Sequence, residues 1–319
     1  MVQPYAAPRW LPGGNAQTIW PLLRKGLAPD YRRERWDTPD GDFIDVDWTD
    51  GPAQQPLLAL FHGLEGSSAS HYALSLMRAV KARGWRGAVV HFRGCSSEPN
   101  RLPRAYHSGD SAEIDWILRR LRASRPGAPL FAAGVSLGGN ALLKWLGEQG
   151  RAAHAVVDAA AGISAPLDLA AANEALSRGF GLAYARHFLR TLVPAALAKL
   201  ARHPGLFDAA AVTAARTLRD FDDAVTAPLH GFADAADYYA RSSAGQFLPG
   251  IEVPTLVLNA RNDPFLPAAA LPRRAGPAVV LEQPDEGGHA GFVCGPFPGS
   301  LSWMPARVMA HFRASGGMP

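Results

Sequence analysis

The chain has 319 residues, 48% of them hydrophobic and 19% charged, enough to bury a large core in one domain with an insertion or in two domains. Its net charge of +4 rests on scattered arginines, with small clusters at Arg32, Arg33, Arg35 and at Arg119, Arg120, Arg122, and no nucleic-acid-reading motif accompanies them, which argues against a nucleic-acid partner. No stretch reaches the roughly 18–20 apolar residues of a membrane span.

The N-terminal "MVQPYAAPRWLPGG" has no basic segment followed by an apolar one, so no signal peptide is expected there. With Cys95 and Cys294 the only cysteines, two reduced thiols and a cytoplasmic location follow as expectations. "FIDVDW" (43–48) alternates apolar and polar residues and predicts a half-exposed strand near a sheet edge. "PLLALFHG" (56–63) is a continuous apolar run that predicts a buried parallel strand. A helix follows over 71–84, with Tyr72, Leu76, Ala79 and Val80 on one face, and then a second buried strand in "GAVVHFRG" (87–94). Asp110 and Glu113 stand at capping-box spacing before Ile114, Ile117, Leu118 and Leu121, which share a helical face.

The next strand, Leu130 to Val135, runs into "GVSLGG". A G-x-S-x-G can arise by chance in a chain with 32 Gly, so its context decides. Here an apolar strand precedes Ser136, and Ala141, Leu142, Trp145 and Leu146 follow at helical spacing. That order is the nucleophile elbow, in which Gly134 and Gly138 leave room for neighbouring backbone and the serine takes a strained conformation. A further strand is predicted at 154–164. Residues 166–249 hold helical patterns and no strand; "PTLVLNA" (254–260) then restores one, followed by a short helix near 267–275, a strand at 278–282 and a helix near 300–314.

The alternation predicts an α/β fold, a mostly parallel sheet flanked by helices, with 1–165 and 250–319 as the core and 166–249 as a helical cap inserted before the penultimate strand. Within the cap, 181–207 mixes large apolar residues with Arg186, Arg190, Lys199 and Arg202, and Pro194 is expected to kink or divide the helix. Such a segment reads as an ordinary cap helix or as an interfacial one touching lipid.

A serine nucleophile needs a base held by an acid, in the chain order Ser, Asp or Glu, His. Asp263 follows the penultimate strand and His289 the last, inside a loop with Gly287, Gly288 and Gly291. Asp285 and Asp158 are the alternatives for the acid. The oxyanion calls for two backbone N–H donors, predicted at Leu137 and Leu64, with Gly63 supplying backbone freedom. No Cys/His cluster has zinc-ligand spacing.

These residues resemble the α/β-hydrolase superfamily, and within it the YheT-like hydrolases. The likeness extends to "PRWLPGGNAQTIWPLL", with Gln17 and Thr18, to "HGLEGSSASHY", and to "FRGCSSEPNRLPRAYHSGD" (92–110), and so covers nearly the whole chain. The resemblance implies a serine esterase with Ser136, Asp263 and His289 as its charge relay, acting on small-molecule or lipid esters through an acyl-enzyme, with neither metal nor organic cofactor. The same triad would serve an acyltransferase or thioesterase. A non-catalytic binding protein on this fold is a third reading, against which the intact Ser, Asp and His argue. The polar groups of 92–110 read mainly as a buried hydrogen-bond network.

Overall fold

The computed structural model describes residues 2–24 and 26–316. Six parallel strands follow from the apolar runs: β3 (Leu57–Phe61), β4 (Arg86–Val90), β5 (Leu130–Val135), β6 (Ala159–Ile163), β7 (Thr255–Leu258) and β8 (Val279–Glu282). Two strands precede them, β1 (Arg32–Asp37) and β2 (Phe43–Thr49), and the sheet order is β1-β2-β4-β3-β5-β6-β7-β8, with β1 and β2 antiparallel to their neighbours. Strands buried on both faces can be apolar throughout. Helices α2 (His71–Ala82) and α11 (Trp303–Ser315) cover one face, packing Leu76, Met77, Val308 and Phe312 on Leu58, Leu60, Val89 and Phe131. Helices α3 (Ser111–Ser124) and α4 (Leu137–Gln149) cover the other, where Ile117, Leu118, Leu142 and Trp145 meet Ala59, Phe61, Ala132 and Ala160. A short α1 (Gly14–Ile19) is the first helix of the described residues.

Four expectations for the sheet and the segments around it change. The 43–48 strand is not half-exposed: every residue of β2 is buried, and β1 forms the edge. The polar positions Asp45 and Asp47 are covered by forked ion pairs from β1, Arg35 at 2.8 and 2.9 Å and Arg33 at 2.7 and 2.8 Å. Burial works against the Asp47 carboxylate, but bonds from Arg33, His91 and Ser68 hold its pKa far below the usual range. The capping box is half made: Asp110 accepts from the Glu113 N–H, while the Glu113 side chain turns to Arg93. Residues 150–155 form a 3-10 turn, so that strand begins only at Ala159. The helix expected near 267–275 shrinks to a 3-10 turn, Ala268–Ala270, bracketed by Pro267 and Pro272.

Among the described residues no strand lies between β6 and β7. The chain forms α5 (Leu169–Leu176), α6 (Gly181–Arg202), α7 (Ala209–Ala214), α8 (Leu218–Phe221), a π-helical turn Asp222–Thr226, α9 (Ala227–His230), α10 (Ala235–Ser242) and a 3-10 turn that returns to α4. Leu189, Ala196, Val212, Phe221 and Val225 make a small cluster of their own there. Pro194 does not divide α6, which runs unbroken for 22 residues. Packing on both sides of the proline, at Leu189 and Ala196, holds the helix across the lost N–H. Among the described residues no helix is long and apolar enough to cross a membrane.

Candidate active site

Ser136 sits between β5 and α4 with φ 54° and ψ −122°, a left-handed backbone that a serine adopts only when its surroundings force it. The force is close packing. The Gly138 N–H donates to the His62 carbonyl at 3.1 Å, so the start of α4 is pinned to the end of β3. A Cβ on Gly138 would lie 2.5 Å from the Phe61 and His62 carbonyl oxygens, and one on Gly134 would strike the Gly138 backbone. Gly63 also lacks room: its Cβ would stand 3.0 Å from that of Ser136. Space, not the backbone freedom expected from sequence, requires that glycine, since its φ is not positive.

The Gly63 N–H is taken by the Tyr72 hydroxyl at 2.9 Å. Among the described residues no acceptor engages the N–H of Leu64 or of Leu137, and both residues line the cavity that Ser136 lines. His62 braces this loop, its Nδ1–H donating to the Gly63 carbonyl at 2.7 Å and its Nε2 accepting from the Phe92 N–H at 3.1 Å. Burial pushes its pKa down to about 3, so the ring is neutral and this tautomer is fixed by its two partners.

Asp263 follows β7 and His289 follows β8, and the fold brings them together: His289 Nδ1 lies 2.9 Å from Asp263 Oδ2 and 3.2 Å from Oδ1. Asp263 is buried, and its Oδ1 also accepts from the Phe265 N–H at 2.8 Å. The Phe265 ring stacks on the imidazole with centroids 4.0 Å apart. His289 lines the same cavity as Ser136. The alternatives for the acid lie elsewhere. Asp285 is 95% exposed beside Arg261, and Asp158, at the opposite end of the sheet, pairs with Arg122 at 2.6 Å.

The His289 loop is strained, with positive φ at Gly287, Gly288, Ala290 and Phe292. What holds it was not read from the sequence as a role for particular residues. The Thr18 hydroxyl accepts from the His289 N–H at 2.8 Å, Gln17 Oε1 from the Gly287 N–H at 2.8 Å, Asn262 Oδ1 from the Gly288 N–H at 3.0 Å, and the Ser164 hydroxyl from the Ala290 N–H at 2.9 Å. A Cβ on Gly291 would strike the Gln17 carbonyl, so α1 and this loop are fitted to each other. The only sequence signal was the Gln17–Thr18 pair in a recognised segment.

The cavity holds about 440 Å³ and is walled by Leu137, Leu176, Phe188, Leu192, Val225 and Phe265, among others. Polar groups on its wall are mostly engaged with one another. Asp222 accepts from Thr226 at 2.6 Å and Tyr239 at 2.7 Å, and the Tyr239 hydroxyl accepts from Asn173 at 2.7 Å. Residues 92–110 supply both wall and network. Arg93, buried, bonds Glu113 at 2.9 Å and Asp40 at 2.8 Å; Asn100 bonds Asp42 at 2.6 Å; and Lys199 of α6 donates to Asn100 at 2.7 Å. Cys95, on the same wall, is a free thiol raised by burial to about 12, and Cys294 is also free. Among the described residues, no group of three or more His, Cys, Asp or Glu converges as metal ligands.

A sequence model of the alpha/beta hydrolase fold family matches residues 56–296. The chain is 43% identical over 302 residues to "Putative esterase YheT" of Escherichia coli (strain K12), covering 92% of this chain and 88% of that protein. It is 31% identical over 319 residues to Phospholipase ABHD3 of Mus musculus, covering 95% of this chain and 76% of that protein. Among solved structures, the Pyrococcus furiosus esterase Pf2001 superposes with a TM-score of 0.59 at 13% identity, covering 98% of this chain and 97% of that one.

Proposed function

The chain belongs to the alpha/beta hydrolase fold family, is YheT-like and is a carboxylic ester hydrolase, and from that premise we propose that Ser136, His289 and Asp263 carry its reaction. The observation that supports this reading is the 2.9 Å bond from His289 Nδ1 to the buried Asp263, with that imidazole and the strained Ser136 on one cavity wall.

In this mechanism His289 Nε2 takes the Ser136 proton as Oγ adds to the ester carbonyl. Asp263 holds the Nδ1–H tautomer and stabilises the imidazolium. The N–H groups of Leu64 and Leu137 hold the oxyanion, aided by the positive N-terminal end of α4, which begins at Leu137. Collapse expels the alcohol, which receives the proton from His289, and leaves an acyl-enzyme. Water activated by His289 then releases the acid. The apolar wall suits the acyl chain of a lipid-like ester, since each buried CH₂ contributes about 0.8 kcal/mol. Residues 166–249 act as the cap that supplies this wall. A relative named as a phospholipase fits that substrate class.

A fluorophosphonate probe should label the protein once, and Ser136→Ala should abolish labelling and lower turnover by on the order of 10⁵–10⁶-fold. Persistent labelling of the alanine variant would assign the nucleophile elsewhere.

A further inference from the structure

Among the described residues seven large hydrophobic side chains are exposed, and five of them fall on two segments: Ile19, Leu22, Leu23 and Leu27 on one, Phe297 on the other. The two segments form one surface. The Trp10, Trp20 and Phe297 rings meet edge-on or tilted at 5.4 to 5.9 Å, and the two indole N–H groups donate to the Gly295 and Pro298 carbonyls at 3.1 and 3.0 Å. Phe297 remains 69% exposed, Leu23 72% and Leu27 87%. A sixth exposed residue, Phe180 at the start of α6, adjoins through Tyr184, whose hydroxyl donates to Asn15 at 3.0 Å.

The charge around this surface is one-sided. The segments 9–29 and 293–302 contain Arg9, Arg24 and Lys25 and no acid, in a chain with 28 acidic residues. The Arg78 guanidinium of α2 donates to the Leu27 carbonyl at 2.7 Å. Arg78 and Arg83 also line a second cavity, with Ser75, Ser300 and Ser302, next to this face. The bounding acids are engaged: Asp30 with Lys81 at 3.1 Å and Glu286 with the Gln17 amide at 3.2 Å.

Exposed leucines, a rim of tryptophans and arginines on segments that carry no acid of their own are what a lipid–water interface of negative charge would hold. We propose that this face, residues 9–24 and 26–29 with 293–302, docks on the surface of an anionic lipid bilayer. The candidate site lies against it, because Thr18 and Gln17, one short helix from Leu22, hold the His289 loop. Helix α6, the interfacial candidate from sequence, is not the docking element. Its Leu182, Phe188, Leu189, Leu192 and Val193 are not among the exposed hydrophobics, whereas its Arg186 and Arg190 are exposed.

Co-sedimentation with vesicles of phosphatidylcholine alone and with a phosphatidylglycerol fraction tests the proposal. The wild-type chain should partition on the order of tenfold more onto the anionic vesicles, and the excess should vanish at high salt. Leu23→Ser with Leu27→Ser, and separately Phe297→Ser, should each cut binding several-fold while hydrolysis of a soluble ester stays at the wild-type rate. Ser136→Ala should bind as wild type does, so failure of the ester mechanism leaves this result unaffected. Binding unchanged in both patch variants, no binding by the wild type, or wild-type dimers that the patch variants abolish in size exclusion would each overturn the proposal.

Discussion

At the scale of single residues, the competition for the acid shows what a number decides. Asp263 follows β7, Asp285 follows β8 and Asp158 stands just before β6, and of the three only Asp263 is buried within hydrogen-bond reach of an imidazole. Asp263→Asn should lower kcat by on the order of 10⁴-fold, because His289 would no longer be held as the Nδ1–H tautomer. Asp285→Asn, at a side chain 95% exposed, should leave kcat within about twofold, as surface changes away from such features generally do. Equal losses in the two variants, read in steady-state kinetics, would remove Asp263 from the role. The glycines around Ser136 were legible as motif spacing, and a side chain at Gly134 would strike Gly138 of the same motif; the atoms that exclude one at Gly138, the Phe61 and His62 carbonyls, come from the end of β3 and have no signature in the motif.

At the scale of elements, helix α6 was legible as a helix and not as an anchored one. Lys199 looked like one basic residue among several, but its ammonium is buried and donates to Asn100 at 2.7 Å, to the Leu102 carbonyl at 3.0 Å and to that of Arg104 at 3.3 Å. Arg202 adds a bond to the Asn100 carbonyl at 2.8 Å. Burial and the nearby Arg202 draw the Lys199 pKa down to about 8, while Asp42 opposes them. The contact joins α6 to the 92–110 loop and so ties two walls of the cavity to each other. Lys199→Met should cost about 1–3 kcal/mol by leaving buried acceptors short of a donor. It should raise amide exchange across 99–105 and 195–202 while β5 and β6 keep their protection. Unchanged exchange in both segments would show that apolar packing alone seats the helix. Strand β1 was missed for a related reason: its Arg-Arg-Glu-Arg run has no apolar alternation, and its pairing depends on carboxylates of β2 that only the sheet brings opposite.

At the scale of the whole molecule, stability against pH carries a term from the cavity. Burial raises the pKa of Asp222 to about 6, above its unfolded value near 4. The folded state therefore binds this proton more tightly than the unfolded chain does. The cost of ionised Asp222 is fully present above about pH 6 and disappears as pH falls toward 4, and it amounts to on the order of 2–3 kcal/mol. The melting temperature of Asp222→Asn minus that of the wild type should accordingly rise between pH 4.5 and 7.5; a flat or falling difference would place the ionised carboxylate in a favourable setting. By itself the sequence determined the layer order, the elbow and the order of Ser136, Asp263 and His289, because apolar periodicity and glycine spacing are local properties of the chain. Only the tertiary structure decided which acceptors hold the His289 loop, which polar groups along the cavity are already paired, and where apolar side chains remain in water. Those depend on contacts such as Thr18 with His289 and Asn100 with Lys199, between residues 271 and 99 positions apart, whose meeting is set by how helices and sheet pack and not by any pattern along the chain.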